Sequence, residues 1–206
     1  MPVEEPDPAN PWLAGSRPRG ADYDAPYRQR ERAGENVHGE ADFIQALGPR
    51  SVLDAGCGTG RVGAELARRG IEVVGVDLDP GMLSAARAKA PEVDWRLGDL
   101  ATVDLGRSFD VIVMAGNVMI FLTPGSEGAV VRNMARHLAS GGALVAGFQL
   151  SVGYLQLPAY DRLAKEAGLG LAARYATWDG APWGERDNYA VSVHRHRSTL
   201  RAARGG

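Results

Sequence analysis

The sequence predicts an α/β fold built on a doubly wound, seven-stranded and mostly parallel sheet with helices on both faces. Two observations lead to this prediction. Short apolar runs alternate with amphipathic segments from about residue 40 to residue 196, and a glycine-rich turn directly follows the first run. Alternating strands and helices favour parallel strands joined by right-handed crossovers. The last strand is expected to run antiparallel, because a loop rather than a helix precedes it.

Composition limits the function classes. The 206 residues suggest one domain with short appendages, and 23 basic against 25 acidic side chains leave no basic surface for a nucleic-acid backbone. A single cysteine excludes an internal disulfide, and the acidic start lacks the features of a signal peptide. The longest apolar stretch, residues 111–122, is shorter than the ~20 residues of a membrane span. We therefore expect a cytoplasmic protein with no membrane segment.

The elements follow in order along the chain. Residues 1–35 lack sustained periodicity and predict a loosely structured N-terminal arm, either a lid or a tail, with one short helix at about 27–32. Residues 36–198 form the main domain, and 199–206 a flexible C-terminal tail. Asp79 and Pro80 are typical of an N-cap and a first helical position. The predicted strands are 51–55, 72–78, 93–97, 110–115, 143–148, 171–177 and 189–196, and the helices are 40–47, 60–69, 80–90, 127–139 and 158–167.

The glycine-rich turn carries the strongest functional signal. Residues 54–60 read DAGCGTG, and Gly58, Gly60 and Gly63 together spell G-x-G-x-x-G. Glycines permit a tight turn and let a ligand lie against the main chain at the end of the strand. Asp77 follows Gly58 by 19 residues, at the end of the second strand, where a carboxylate can accept hydrogen bonds from ribose hydroxyls. The pattern favours nucleotide binding over glycines that merely pack a helix on a strand.

These residues resemble the motifs of the class I S-adenosylmethionine-dependent methyltransferases, which have a Rossmann-like fold. Asp54 with the glycines of the turn resembles the first motif, and residues 76–83 the second. Residues 98–100 (Gly-Asp-Leu) resemble the third and 109–113 the fourth, while 136–145 are similar to the start of the family's fifth strand. The resemblance covers residues 40–196.

The resemblance implies S-adenosylmethionine as the cofactor. Asp54 would lie near its ammonium group, Asp77 would hold the ribose, and Asp99 would accept from the adenine amine. Met82 would flank the adenine or be a core residue, and Cys57 is interpreted as part of the loop rather than as a nucleophile. The implied cofactor-binding residues are Asp54, Gly56, Cys57, Gly58, Asp77, Leu78, Met82, Asp99, Leu100 and Asn117.

The acceptor is expected beyond the carboxyl ends of the strands, where ligands bind in open parallel sheets. Candidate substrate-binding residues follow strands or belong to the arm: Tyr23, Tyr27, Gln149, Trp178 and Trp183. The two tryptophans either form an apolar lid or pack the last two strands, and the two tyrosines either close over the acceptor or anchor the arm. His38 is the candidate catalytic base, with local capping or packing as the alternative. No metal site is expected, because His194 and His196 lack a third ligand.

The preferred function is methyl transfer to a small-molecule acceptor by in-line displacement. The segment after the fourth strand reads Met114-Ala115-Gly116-Asn117. Methyltransferases that act on amines of DNA bases usually resemble one another in an Asn/Asp-Pro-Pro-Tyr-like motif at this position, and this sequence lacks that motif. An NAD(P)-dependent oxidoreductase is the enzymatic alternative, although it leaves Asp54 and residues 98–100 unexplained. A non-catalytic module that binds S-adenosylmethionine is the other alternative.

Overall fold

The computed structural model describes residues 10–196 and confirms the doubly wound α/β sheet. Its seven strands lie in the order β3-β2-β1-β4-β5-β7-β6, and β7 runs antiparallel to both of its neighbours. The other pairings within the sheet are parallel. The strands are β1 (Ser51–Ala55), β2 (Glu72–Asp77), β3 (Asp94–Leu97), β4 (Phe109–Met114), β5 (Leu138–Gln149), β6 (Leu169–Tyr175) and β7 (Tyr189–His196).

Seven α-helices are described along the same residues. They are α1 (Pro11–Ala14), α2 (Ala21–Arg32), α3 (Gly39–Ala46), α4 (Arg61–Arg68), α5 (Pro80–Lys89), α6 (Glu127–Arg136) and α7 (Leu157–Glu166). Asp79 caps α5 as predicted, because its carboxylate accepts from the backbone N–H groups of Gly81 and Met82. None of the helices described is long and apolar enough to cross a membrane.

Two apolar clusters cover the two faces of the sheet. Adjacent residues of a strand point to opposite faces, so Val52 and Val111 belong to one cluster while Leu53 and Ile112 belong to the other. All four side chains are buried. This arrangement leaves the carboxyl edge of the parallel strands as the part of the sheet where polar loops converge.

The structure corrects the boundary between α6 and β5. The helix was predicted to reach residue 139 and the strand to begin at 143, whereas β5 begins at Leu138. Gly141 and Gly142 lie at an irregularity within the strand, where the register shifts opposite the segment between Phe109 and Val111. A Cβ at Gly142 would lie 2.9 Å from the carbonyl oxygen of Asp110, so this close backbone approach requires glycine.

The structure also corrects the arm over its described residues, 10–35, which are more helical than predicted. In place of one short helix at 27–32 it contains α1 and the longer α2, which spans 12 residues. Pro26 lies within α2, and Asp24 is the buried residue of this helix. Apolar periodicity does not predict this helix, because a proline lies within it and the residue on its buried side is a carboxylate. The predicted C-terminal tail, 199–206, lies outside the described residues.

Candidate active site

A cleft of about 920 Å³, including solvent at its mouth, lies beyond the carboxyl ends of β1 to β4. The loops after these four strands form its floor and walls, and the N-terminal arm covers it. All of the predicted cofactor-binding residues except Asn117 line the cleft. They are Asp54, Gly56, Cys57, Gly58, Asp77, Leu78, Met82, Asp99 and Leu100.

The glycine loop is fixed by hydrogen bonds to the two aspartates that were predicted beside it. Asp77 accepts from the backbone N–H of Gly58 (2.7 Å), and Asp54 accepts from that of Gly63 (2.9 Å). Gly56 has φ 77°, and a Cβ there would lie 2.6 Å from Val118. Glycine is therefore required at Gly56 both for the backbone conformation and for the close approach of the segment after β4.

Asp54 and Asp77 are both buried carboxyl groups. Burial raises the pKa of Asp54 to about 7 and that of Asp77 to about 6, because both carboxylates lose hydration. The backbone N–H groups that donate to them only partly offset this effect. A cation bound in the cleft would favour the ionised form of both groups, so the site is suited to a positively charged ligand.

The part of the cleft beyond β2 and β3 carries three apolar side chains. Leu78, Met82 and Leu100 line it, and Met82 is 1% exposed, so Met82 is both a core residue and a lining residue. The Met82 sulfur accepts from the backbone N–H of Gly20 at 3.4 Å, which places the arm directly over this side chain. Asp99 is exposed and accepts from the backbone N–H of Ala101 at 2.7 Å.

The roof of the cleft comes from arm residues that the sequence analysis did not select, together with Tyr23, which it did. Asn10 and Trp12 line the cleft. The Trp12 indole N–H donates to the Asp79 carboxylate at 3.0 Å, and the ring contacts Tyr23 edge-on, with centroids 6.0 Å apart. Arg19 forms an ion pair with the same carboxylate at 2.7 Å. The two contacts with Asp79 join residues 60 and 67 positions apart, so no local pattern could have predicted them.

Arg61 was also missed, and so were the residues of the segment after β4 that lie beyond Val118. Arg61 lines the cleft at the start of α4, and its guanidinium forms a bidentate ion pair with Glu40 and stacks on Tyr27, 4.3 Å from the ring centre. The sequence signal for Arg61 was its position immediately after the glycine loop. The residues after β4 that line the cleft are Ala115, Gly116, Val118, Phe121, Leu122, Thr123 and Ser126.

Asn117 and Gln149 are hydrogen-bonded to each other, and neither of them lines the cleft. Asn117 has a left-handed backbone with φ 68°, and its side-chain oxygen accepts from the backbone N–H of Gln149 at 2.8 Å. This bond ties the end of β4 to the end of β5. The Gln149 side chain is exposed and does not line the cleft.

The two tryptophans pack the region of the last strands, and neither lines the cleft. Trp178 donates its indole N–H to the Tyr189 hydroxyl at 2.9 Å and contacts Phe43 edge-on at 5.6 Å. Trp183 packs against an apolar cluster, with the Arg174 guanidinium 5.7 Å from its ring centre. Both residues therefore pack against neighbouring side chains, and their substrate-binding role stays a prediction.

His38 and Tyr27 lie at a second cavity, of about 1220 Å³ on the same measure, between α2 and α4. Of the described residues, Arg61 lines both this cavity and the cleft. The His38 Nε2 atom lies 3.9 Å from the Glu31 carboxylate, and its Nδ1 is buried. The structure does not bring His38 to the cleft, so the predicted catalytic role gains no support from this geometry.

Comparison with known proteins identifies the family. A family model described as a methyltransferase domain matches residues 52–142. A TehB-like SAM-dependent methyltransferase from Corynebacterium glutamicum has a crystal structure that is similar with a TM-score of 0.78 and 35% identity, covering 85% of this chain and 96% of that one. The chain belongs to the class I S-adenosylmethionine-dependent methyltransferases. S-adenosylmethionine is therefore its cofactor, in agreement with the predicted motifs.

Two curated relatives of this methyltransferase are named as sugar N,N-dimethyltransferases. The one from Saccharopolyspora spinosa acts on dTDP-4-amino-2,3,4,6-tetradeoxy-D-glucose and is 37% identical over 69% of this chain. The one from Streptomyces venezuelae acts on dTDP-3-amino-3,4,6-trideoxy-alpha-D-glucopyranose and is 33% identical over 51% of this chain. The chain spans about half the length of these relatives, 55% and 46% respectively.

The side chains that line the cleft of this methyltransferase match the charged and apolar groups of the cofactor. S-adenosylmethionine carries an ammonium and a sulfonium, and the buried Asp54 and Asp77 are carboxyl groups on the floor of the cleft that such a cation would hold in the ionised form. Its adenine is flat and apolar on its faces, and the side chains of Leu78 and Met82 lie on the wall where the resemblance places that ring. The glycine loop leaves the main chain open to a ligand.

Proposed function

We propose that the chain catalyses transfer of the methyl group of S-adenosylmethionine to a small-molecule acceptor by in-line displacement. The observation that carries the proposal is the convergence of the glycine loop, Asp54 and Asp77 in one cleft with an aromatic roof of Trp12 and Tyr23. Such a displacement needs alignment more than it needs a catalytic base, because positive charge leaves the sulfur as the bond breaks. A covered, ordered cleft supplies that alignment.

In this proposal the methionine part of the cofactor lies on the glycine loop. Asp54 faces the ammonium group, and backbone atoms of Gly56 and Gly58 contact the amino-acid chain. Arg61 is the cationic side chain among the described residues of the cleft lining. It supplies charge of the sign that the cofactor carboxylate needs, and its ion pair with Glu40 holds it in place.

The adenosine part lies between the loops after β2 and β3. Asp77 accepts hydrogen bonds from the ribose hydroxyls, in addition to the backbone N–H groups that it already binds. Leu78 and Met82 flank one face of the adenine. Asp99 accepts from the adenine amine, and the backbone of Leu100 meets the ring edge. Each assignment comes from the motif resemblance and is supported by the position of these residues in the cleft.

The acceptor atom that we favour is an amine nitrogen. Both sugar methyltransferases compared above are named for transfer to nitrogen. Tyr23 lines the cleft close to Gly116, where a Cβ would lie 3.9 Å from the tyrosine hydroxyl. Burial raises the pKa of Tyr23, so its hydroxyl stays protonated and offers a lone pair to an amine N–H.

We place the reaction in the cytoplasm, where Cys57 would stay reduced.

Binding and transfer test the proposal separately. Calorimetric titration with S-adenosylmethionine, S-adenosylhomocysteine and NAD should show binding of the first two and none of NAD. Incubation with methyl-labelled cofactor and a panel of small primary amines should then transfer label to at least one amine. Binding of NAD alone would support the oxidoreductase alternative. Binding of the cofactor without transfer to any acceptor would support the non-catalytic alternative.

A further inference from the structure

A carboxylate of the arm is buried against the glycine loop. Asp24, on α2, is 8% exposed and accepts a hydrogen bond from the Thr59 hydroxyl at 2.6 Å. Its other oxygen lies 2.8 Å from the ammonium of Lys89, near the end of α5. Lys89 also donates to the Thr59 hydroxyl at 3.4 Å. The three side chains form a closed network that joins the arm, the glycine loop and α5.

Within this network, the hydrogen-bond donors and acceptors of the three side chains pair with one another. A buried carboxylate is tolerated when it is paired and hydrogen-bonded, and both conditions hold for Asp24. Thr59 is 1% exposed, and its hydroxyl has the arm carboxylate as its acceptor. When the arm leaves this position, Thr59 and Lys89 lose their acidic partner. Because losing this hydrogen bond costs free energy, docking of the arm and the hydrogen bonding of Thr59 stabilise each other.

Thr59 is placed where it controls the glycine loop. It stands between Gly58 and Gly60, both of which adopt positive φ values, 55° and 74°. Glycines have many accessible conformations, so the loop needs contacts from elsewhere to hold one of them. Gly58 in turn donates its N–H to Asp77 at 2.7 Å. A continuous path of bonds therefore runs from Asp24 through Thr59 and Gly58 to the carboxylate proposed to hold the ribose.

We propose that Asp24 is a positioning residue that makes cofactor affinity depend on docking of the arm. By binding Thr59 it holds the glycine loop in the conformation that presents its backbone to the cofactor. The same contact brings Tyr23, the preceding residue, over the cleft. This inference rests on the proposed function, because it assumes that the cofactor lies on the glycine loop. It assigns Asp24 no contact with the cofactor.

The test uses full-length variants and two measurements. The dissociation constant for S-adenosylhomocysteine is measured by calorimetry at 20 °C, and the melting temperature is measured without ligand. We expect Asp24→Ala and Thr59→Val each to raise the dissociation constant by at least about tenfold, the range for loss of a hydrogen bond to a charged group. The double variant should bind no more weakly than the weaker single variant, because both changes break one contact.

Two matched controls separate positioning from general stability. Thr59→Ser keeps the hydroxyl and should restore affinity to within about threefold of wild type, a difference well below one charged hydrogen bond. Asp22→Asn removes the same charge from the exposed side of the same helical turn and should bind as wild type does. A purely structural role would lower the melting temperature of Asp24→Ala and leave its affinity at 20 °C unchanged.

The outcomes distinguish this inference from the proposed function. If wild type binds S-adenosylhomocysteine and both Asp24→Ala and Thr59→Val bind it equally well, the positioning role is wrong and the function stands. The same holds if the two effects simply add in the double variant, because the residues would then act independently. If wild type binds neither S-adenosylmethionine nor S-adenosylhomocysteine, the proposed function fails and this inference fails with it.

Discussion

The indole ring of Trp95 occupies the space beside Gly75 on the neighbouring strand. The two residues are partners in the parallel pairing of β2 and β3, and a Cβ at Gly75 would lie 2.2 Å from the Trp95 ring. The ring extends to the start of α4, where a Cβ at Gly60 would lie 2.6 Å from it. The indole N–H donates to the carbonyl of Ala90 at 2.8 Å. The Trp95 ring therefore packs against the backbone of the glycine loop at Gly60.

The first prediction concerns stability. Gly75→Ala should lower the free energy of unfolding by about 1–3 kcal/mol or more, because an added methyl group overlaps a ring with no free space around it. Urea denaturation followed by far-UV circular dichroism measures the change. Gly39→Ala is the matched control, since a Cβ there would meet its nearest neighbour at 3.9 Å. A Gly75→Ala protein as stable as that control would show that Trp95 can move aside at little cost.

The second prediction concerns the ribose. Asp77→Ala should weaken binding of S-adenosylhomocysteine by about 2 kcal/mol, roughly thirtyfold, through loss of hydrogen bonds to a charged acceptor. The variant should still unfold cooperatively, at a lower temperature, because the Gly58 and Asp79 N–H groups also lose their acceptor. Calorimetry and thermal melts measure the two effects. Unchanged affinity in a folded variant would remove Asp77 from the cofactor site.

The order of the elements and the position of the cleft could be predicted because their causes are local. Apolar runs, the glycines at 56, 58 and 60, and the cap at Asp79 act on neighbouring residues, so the sequence displays them directly. The cofactor residues follow strands that end at the same edge, and this edge brings them together. Asn117 was the exception, because its side chain bonds to Gln149, a partner that only the β4 and β5 pairing supplies.

The roof of the cleft could not be predicted because its causes are distant. Trp12 is held by Asp79, and Asp24 by Thr59 and Lys89, through polar contacts that leave no periodic signal. Burial of Asp54 and the resulting rise of its pKa are also properties of the assembled sheet. The position of Trp178 in the sequence is compatible with a lid or with packing, and its bond to Tyr189, 11 residues away, is a contact that the sequence does not display.

The third prediction concerns pH. Burial raises the pKa of Asp54 to about 7 and of Asp77 to about 6, from an ordinary value of 3.8. The folded protein therefore holds protons that the unfolded chain has released. The free energy of unfolding of the ligand-free protein should fall as pH rises from about 4 to about 7. A cationic cofactor favours the ionised carboxylates, so its binding should tighten over the upper part of this range.

Proton release measures this coupling directly. Calorimetric titration with S-adenosylmethionine at pH 6.5, in buffers of different ionisation enthalpy, should show net release of protons on binding. Asp54→Asn should release fewer protons, since one of the two titrating groups is gone. Asp22→Asn, which changes an exposed carboxylate, should release as many as wild type. Binding with no proton exchange in wild type would show that both carboxylates are already ionised at that pH.

The last prediction concerns the catalytic base. His38 lines the second cavity with Glu31 and Tyr27, and Arg61 stands between that cavity and the cleft as the residue common to both. A general base must lie within hydrogen-bond reach of the proton that it removes, directly or through one water. His38→Ala should therefore keep turnover within about twofold of wild type, well short of the 10²–10⁴-fold effect of losing a base.

Tyr23→Phe provides the comparison, because Tyr23 does line the cleft and the change removes only its hydroxyl. We expect this variant to slow turnover by at least about tenfold, the effect of one lost hydrogen bond to the reacting amine, with cofactor affinity unchanged. Both variants are assayed with the amine that accepts label from methyl-labelled cofactor. A hundredfold loss in His38→Ala with normal turnover in Tyr23→Phe would reverse the assignment. His38 would then have to reach the acceptor through a rearrangement of α2, because Arg61 is the one described residue that lines both its cavity and the cleft.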